Sequence, residues 1–179
     1  PNGVAQRYFN PKKNVFKTKH PSILFGISNM KWMQNREGAE LLKLIFGLKL
    51  TKNPQAKLYV IGRNAPQTFQ KYINDDIVIK EAENDGQTYD PQYFYQSCWI
   101  LLAPIKSGGG SRTKFFEAMA SRLPIVTTRQ GMEGINIKNN LHAIVCPYSK
   151  LIEKSISLLN NCQLQDTIGK NASILVKKE

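Results

Sequence analysis

The fold is decided by the stretch Cys98-Trp-Ile-Leu-Leu-Ala-Pro-Ile-Lys-Ser-Gly-Gly-Gly-Ser-Arg-Thr-Lys-Phe-Phe-Glu117. Its first part is an apolar run over residues 99–103, which predicts a strand that is buried on both faces. Pro104 ends this strand, three glycines follow, and the segment after them, rich in Phe, Ala and Met, predicts a helix. The stretch therefore predicts a buried strand that leads into a helix through a glycine-rich loop.

This glycine-rich loop is a candidate phosphate-binding site. Glycine lets a ligand approach the main chain, and the unpaired N–H groups and dipole of the following helix favour an anion there. Lys106, Arg112 and Lys114 add positive charge on both sides of the loop. Glu117 lies further along the helix, within reach of a sugar hydroxyl. A nucleotide or a sugar phosphate would suit this arrangement; the alternative is a flexible turn beside an ordinary surface pair of Lys114 and Glu117.

Two other phosphate motifs do not fit the spacing of this loop. The dinucleotide fingerprint requires a glycine three residues after Gly110, where this sequence has Thr113. The P-loop requires Ser or Thr after its lysine, whereas Lys114 is followed by Phe115. The spacing therefore excludes both motifs.

The segment after the glycines narrows the interpretation. It reads Lys114-Phe-Phe-Glu-Ala-Met-Ala-Ser-Arg-Leu-Pro-Ile-Val-Thr-Thr-Arg-Gln-Gly-Met-Glu-Gly134. This segment resembles the donor-binding half of GT-B glycosyltransferases, specifically the large retaining family 4 (glycosyl transferases group 1). The resemblance extends to Pro1-Asn2-Gly3-Val4, which looks like the interdomain hinge, and to Ile168-Gly-Lys-Asn-Ala172. It covers nearly the whole chain.

The resemblance implies a site for a nucleotide-sugar donor. The residues that it implies for donor and nucleotide binding are Arg63, Ser107, Gly108, Gly109, Gly110, Ser111, Arg112, Thr113, Lys114 and Glu117, and those of a candidate donor-sugar loop are Gly131, Glu133 and Gly134. In this interpretation Glu117 binds the ribose, while the cations and loop amides stabilise the departing diphosphate. The catalytic residues are unknown. Neither a cofactor nor a metal is expected, since no Asp-x-Asp motif occurs and the two histidines lack partners at recognisable spacing.

The sequence departs from the family pattern at two positions. Many members have Lys-Gly at the start of the first helix, where this chain has Glu37-Gly38, with Arg36 as the nearest basic residue. Many also have a second glutamate eight residues before the ribose-binding one, where this chain has Gly109. Recognition of the donor sugar is therefore undefined.

The order of patterns predicts an α/β fold, a doubly wound parallel sheet that is Rossmann-like and forms one half of a GT-B fold. Strands are predicted at residues 23–27, 57–62, 77–79, 99–103, 125–127 and 143–146, and helices at 36–53, 91–97, 112–121, 151–159 and 164–176. We expect residues 1–20 to form the interdomain hinge and a loosely packed N-terminal arm, and residues 21–179 to form the nucleotide-sugar-binding domain. An acceptor-binding N-terminal domain of the same protein is the expected partner of this half.

The charge balance favours an anionic partner. Among 179 residues, 25 are Lys or Arg and 13 are Asp or Glu, and the net charge of +12 would attract a diphosphate, an acidic membrane surface or nucleic acid. No nucleic-acid recognition motif accompanies this charge, so nucleic acid is not expected as a partner. The three cysteines lack metal-ligand spacing and are predicted to be reduced core residues. No apolar stretch is long enough to span a membrane. Because reduced cysteines are compatible with the cytoplasm, we expect a cytoplasmic protein with a candidate peripheral contact to the membrane.

The predicted function is transfer of a sugar, with retention, from a nucleotide donor to an acceptor of the glycan or lipid-linked glycan class. Two alternatives stay open: a non-catalytic nucleotide-binding module, and a nucleotide-sugar epimerase of the same fold. An epimerase would need an acid–base constellation, and none is evident beside the glycine loop. Since transfer requires both halves of a GT-B enzyme to hold donor and acceptor together, we expect this chain alone to bind donor without transferring sugar.

Overall fold

The structure is a computed structural model, and it describes residues 4–26, 29, 55–70, 75–80, 90–107 and 112–178. A parallel sheet of six strands forms its centre, in the order β3-β2-β1-β4-β5-β6. The strands are β1 (Ser22–Gly26), β2 (Lys57–Ile61), β3 (Ile77–Lys80), β4 (Ile100–Ala103), β5 (Ile125–Thr127) and β6 (Ile144–Val145). This is the strand order of the Rossmann fold, with the direction of winding reversed between β1 and β4. The predicted doubly wound parallel sheet is confirmed.

Five α-helices are present in the described residues. They are α1 (Ala65–Phe69), α2 (Pro91–Ser97), α3 (Thr113–Ala120), α4 (Leu151–Leu159) and α5 (Cys162–Lys178). Helix α2 begins where predicted, because the Asp90 side chain accepts a hydrogen bond from the Gln92 amide at 3.0 Å and Pro91 occupies the first helical position. Helix α5 begins earlier than the periodicity predicts, since the side chain of Asn161 accepts a hydrogen bond from the Leu164 amide at 2.9 Å. The helix predicted at residues 36–53 lies outside the described residues.

Strand β4 divides the core into two clusters. Its residues are all buried, and Ile100 and Leu102 face one apolar cluster while Leu101 and Ala103 face the other. Helices α1 and α4 pack on the first face, and helices α2 and α3 pack on the second. Burial of each large apolar side chain contributes about 1.5–3 kcal/mol, so both faces of β4 contribute to holding the layers together.

The N-terminal arm is attached to the domain at one turn, while most of its described side chains are exposed. Residues Gln6–Phe9 form a 3-10 turn, and Tyr8 in that turn is only 3% exposed. The buried side chain of Gln92 donates hydrogen bonds to the carbonyl oxygens of Arg7 and Asn10 at 2.6 and 3.0 Å. The arm has no periodicity because side chains from α2, rather than a regular ladder, satisfy its backbone. It is therefore attached to the same face of the sheet as α2 and α3.

The three cysteines are free thiols with different environments. Cys98 is buried, and this burial raises the pKa of its thiol to about 12. Cys146 is partly buried, whereas Cys162 is exposed at the first residue of α5. The prediction of core cysteines is thus correct for Cys98 and wrong for Cys162, because the start of a surface helix leaves its first side chain in solvent.

Helix α5 packs closely against the turn between α3 and β5. A Cβ atom at Gly169 would lie 2.4 Å from the carbonyl oxygen of Arg122, a backbone atom in a turn where Arg122 itself has φ of 57°. Only glycine allows this approach, which gives the Ile168-Gly169 motif a packing role.

We expect Gly169→Ala to destabilise the fold by about 1–3 kcal/mol, because the added methyl group must push α5 away from the turn. Helix propensity alone predicts the opposite sign, a gain of about 1 kcal/mol. Urea unfolding measures the difference, with Lys170→Ala on the exposed side of the same helix as the control. A Gly169→Ala variant as stable as the parent would contradict the close packing.

Candidate nucleotide-sugar site

Those predicted site residues that the structure describes lie after the carboxyl ends of strands and at the start of α3. Gly108, Gly109, Gly110 and Ser111 lie outside the described residues, so the structure describes the loop only at its two sides, Ser107 and Arg112. Ligands of open α/β sheets bind at this edge, where the winding reverses. The described residues around the loop therefore define what a ligand there would meet.

Lys114 is a half-buried cation in the first turn of α3. Among the described residues no carboxylate pairs with it, and the charged group that acts on it is the cation of Arg112. Burial, with a smaller effect from Arg112, lowers the pKa of the Lys114 ammonium to about 8. An ammonium without a carboxylate partner at a helix N-terminus favours the binding of a phosphate.

Glu117 does not pair with Lys114, so the surface-pair alternative is wrong. Its Oε2 accepts a hydrogen bond from the hydroxyl of Tyr95 at 3.1 Å, and the nearby hydroxyl of Tyr8 acts to lower the pKa of the same carboxyl. Arg7 in turn donates to the Tyr8 hydroxyl at 3.3 Å. Burial raises the pKa of Glu117, while these hydroxyls and the Arg7 charge oppose the rise. The carboxylate is half-buried and keeps a side towards solvent.

Arg112 joins the start of α3 to the loop over residues 130–134. Its Nε donates to the carbonyl oxygen of Glu133 at 3.3 Å, and a terminal nitrogen donates to that of Gln130 at 2.9 Å. The candidate donor-sugar loop is thereby held beside Arg112 at the start of α3. These contacts give Arg112 a structural task that sequence reasoning did not anticipate.

Two threonines at the end of β5 join this strand to the end of β4, and the second also joins it to the loop over residues 130–134. Thr127 donates to the carbonyl oxygen of Ala103 at 2.7 Å, and Thr128 donates to that of Ile105 at 2.5 Å. The Gly131 amide then donates to the Thr128 hydroxyl at 3.2 Å. Sequence analysis missed both residues. The available signal was a pair of polar residues ending a buried strand, where hydroxyls need partners.

Arg63 lies exposed in the turn after β2, and among the described residues nothing pairs with its guanidinium. The next residue, Asn64, donates from its side-chain amide to Asn29 at 3.0 Å, which joins the turns after β1 and β2. Arg63 is thus held at the predicted edge of the sheet. The asparagine pair is a second feature that the sequence analysis missed.

A cleft of about 570 Å³ lies at the carboxyl ends of β4, β5 and β6. Its walls include Lys106, Thr128, Arg129 and Tyr148, and the ammonium of Lys106 lies 4.5 Å from the centre of the Tyr148 ring. The volume is in the range of small-molecule sites. This cleft continues the edge at which the predicted residues lie.

The described residues contain neither a grouped set of metal ligands nor a membrane-spanning helix. No three His, Cys, Asp or Glu side chains there are grouped as a metal site would require. None of the helices described is long and apolar enough to cross a bilayer.

The fold is that of the Rossmann-like half of a GT-B glycosyltransferase. Residues 21–161 match the family described as glycosyl transferases group 1, and the chain belongs to that family. No curated protein sequence matches the chain.

Three solved structures show what the fold is similar to. The C-terminal domain of LpcC, a glycosyl transferase group 1 family protein from Francisella tularensis, has a TM-score of 0.76 at 18% identity, covering 99% of this chain and 98% of that one. WaaG, a glycosyltransferase involved in lipopolysaccharide biosynthesis, has a TM-score of 0.78 at 16% identity, covering 100% and 51%. HepE from Anabaena, solved with UDP-glucose, has a TM-score of 0.67 at 11% identity, covering 89% and 44%. The chain thus spans about half of the WaaG chain.

The packing of the loop over residues 130–134 against Thr127 can be tested by substitution of its glycines. A Cβ at Gly131 would lie 2.1 Å from Oγ1 of Thr127, whereas none of the described atoms lies within 4 Å of a Cβ at Gly134, whose φ is 79°. We expect Gly131→Ala to cost about 1–3 kcal/mol in urea unfolding, because the Thr127 hydroxyl must move. Gly134→Asn is the control and should cost less, since asparagine tolerates this φ. Equally small losses of stability in the two variants would contradict the close approach of Gly131 to Thr127.

Proposed function

We propose that this chain binds a nucleoside-diphosphate sugar at the edge between β1 and β4 and is the donor-binding half of a retaining GT-B glycosyltransferase of family 4. The observation that carries the proposal is Lys114, an ammonium at the start of α3 that no described carboxylate neutralises. Membership of the glycosyl transferases group 1 family supports the same reaction class.

The proposed mechanism is electrostatic. When the sugar leaves the donor, negative charge develops on the diphosphate, and Lys114, Arg63 and the amides of the glycine loop would stabilise it. Arg112 would act by holding the 130–134 loop beside the donor sugar, and Ser107 and Thr113 would border the phosphates. The half-buried Glu117 would accept hydrogen bonds from the ribose. No metal or cofactor is included in this mechanism.

The nucleotide base of the donor and the acceptor are proposed from other observations. UDP-glucose is bound in the solved HepE structure, so uridine nucleotides are the first candidates for this chain. We propose a glycan or lipid-linked glycan as acceptor, held by an N-terminal domain of the same protein. We also propose a cytoplasmic location, and the net charge of +12 supports peripheral contact to an acidic membrane surface.

We expect UDP, GDP or ADP to stabilise the chain in a thermal-shift assay by about 2.7 kcal/mol when present at about 100 times its dissociation constant. Lys114→Met and Glu117→Gln should each weaken binding by about 1.5–3 kcal/mol, the range for hydrogen bonds to charged groups. Lys170→Met is the control, because it removes the same charge from the exposed side of α5, where Lys170 pairs with Asp166 at 2.6 Å. No shift with any of the three diphosphates at millimolar concentration would refute the proposal.

The protonation of Lys114 predicts a pH dependence for the same binding. The pKa of this ammonium is about 8 in the ligand-free chain, so raising the pH through 8 removes the charge that attracts the diphosphate. Affinity should fall above that pH in the parent chain, and Lys114→Met should bind weakly without that fall. Isothermal titration between pH 7 and 9.5 measures both, and a parent affinity that is constant over this range would contradict the role of Lys114.

We further expect the chain alone to bind donor without transferring sugar. Placing two reactants together can supply about 7–11 kcal/mol of a barrier, and this half would not hold the acceptor. The measurement compares the 179-residue chain with the two-domain protein, using a donor shown to bind both. Transfer by the chain at a rate comparable to that of the two-domain protein would show that the acceptor site is already complete here.

A further inference from the structure

Glu117 is surrounded by polar groups from three parts of the fold. Tyr95 approaches it from α2, its hydroxyl donating to Oε2 at 3.1 Å. Tyr8 approaches it from the N-terminal arm, and Arg7 donates to the Tyr8 hydroxyl at 3.3 Å. The two tyrosine rings pack edge to face, with their centres 5.9 Å apart. The carboxylate is therefore held by two neighbours that are themselves packed together.

Tyr95 has little freedom to release this carboxylate. Its side chain is 0% exposed and lies among the apolar residues of the second core cluster. Glu117 is the hydrogen-bond partner that the structure describes for its hydroxyl. A buried hydroxyl that loses its partner destabilises the fold, because no water replaces the lost bond. The Tyr95 ring thus fixes the position of Oε2 more firmly than an exposed tyrosine could.

We propose that Tyr95 and Tyr8 are positioning residues for the nucleotide: they orient the Glu117 carboxylate so that its remaining acceptor positions face the ribose hydroxyls. This inference rests on the proposed function. A carboxylate has about four acceptor positions, so two tyrosine hydroxyls leave capacity for a ribose diol. Neither tyrosine needs to touch the ligand itself.

The same contacts act on the charge of Glu117. Burial favours the protonated carboxyl, whereas the hydroxyls of Tyr8 and Tyr95 and the cation of Arg7 favour the ionised form. A protonated Glu117 would have fewer acceptor positions for the ribose. Loss of a tyrosine hydroxyl therefore has a definite sign: it raises the pKa of Glu117 and moves the acid limit of nucleotide binding to higher pH.

The position of Tyr8 extends the inference to the arm. The Ser121 hydroxyl at the end of α3 donates to the Tyr8 carbonyl oxygen at 3.3 Å, so the turn that contains Tyr8 is attached to the helix that contains Glu117. Movement of this turn would change the hydrogen bonds of Glu117 directly. The arm would therefore affect donor binding through Glu117 without contacting the donor.

The test uses Tyr95→Phe and Tyr8→Phe, with Tyr93→Phe as the control. Tyr93 lies on the same helix as Tyr95 but is 47% exposed and packs against Phe94. Titration is done from pH 5 to 9 with whichever of UDP, GDP and ADP binds the parent most tightly. At pH 7.5, Tyr95→Phe should bind about three- to tenfold more weakly, the range for loss of one hydrogen bond. The pH at which half of the binding is lost on acidification should be higher in Tyr95→Phe than in the parent. Tyr8→Phe should shift this midpoint in the same direction. Tyr93→Phe should match the parent in both affinity and midpoint.

A second readout does not depend on ligand. The side-chain carboxyl of Glu117, followed by carbon NMR in the ligand-free chain, should titrate at higher pH in Tyr95→Phe than in the parent. Unchanged affinity and midpoint in Tyr95→Phe, with a parent that binds, would overturn the positioning role alone. A parent that binds none of the three diphosphates would overturn the proposed function and this inference together.

Discussion

Complete burial of β4 on both faces is the constraint on which the rest of the structure depends. Because its residues alternate between two apolar clusters, helices must cover each side, and the sheet must continue on both edges. The strand pairs in parallel with β1 and β5, so its carboxyl end lies between theirs. Residues 104–107, which follow β4, therefore begin at the reversal of winding because the core places that strand there. A change in this core would alter the site before any ligand-binding residue changed.

The fold could be predicted because its signals are local. The apolar runs of β2, β4 and β5 each fix a strand within one or two residues of its observed bounds, and the Asp-Pro start fixes α2. The arm could not be predicted in this way, since its structure depends on the Gln92 side chain, more than 80 residues further along the chain. An irregular segment whose partners are distant in sequence has no periodicity to detect. Its packing is a property of the folded chain.

The sequence predicts which residues lie at the start of α3, but not the partners that the structure gives them. The sequence brings Lys114 and Glu117 together at i,i+3 spacing, yet the structure gives them opposite environments. Lys114 has no described carboxylate partner, whereas Glu117 is held by Tyr8 and Tyr95. Helical spacing specifies which residues share a face, but not which neighbouring elements approach that face. The two threonines after β5 were missed for a related reason, because their partners are carbonyl oxygens at the end of another strand.

The environments of Lys114 and Glu117 also show that charge and side-chain orientation contribute separately to the proposed site. The field of a chain with net charge +12 attracts any anion, but an exposed lysine is screened by solvent and salt. Lys114 is different because burial disfavours its charged form and lowers the pKa of its ammonium to about 8. A bound diphosphate would stabilise that charged form. Glu117 has a second requirement, since a carboxylate near a diphosphate repels it unless it is directed to hydroxyls. The tyrosines on its far side supply that direction, which explains why a negative group can lie one turn from the proposed phosphate site.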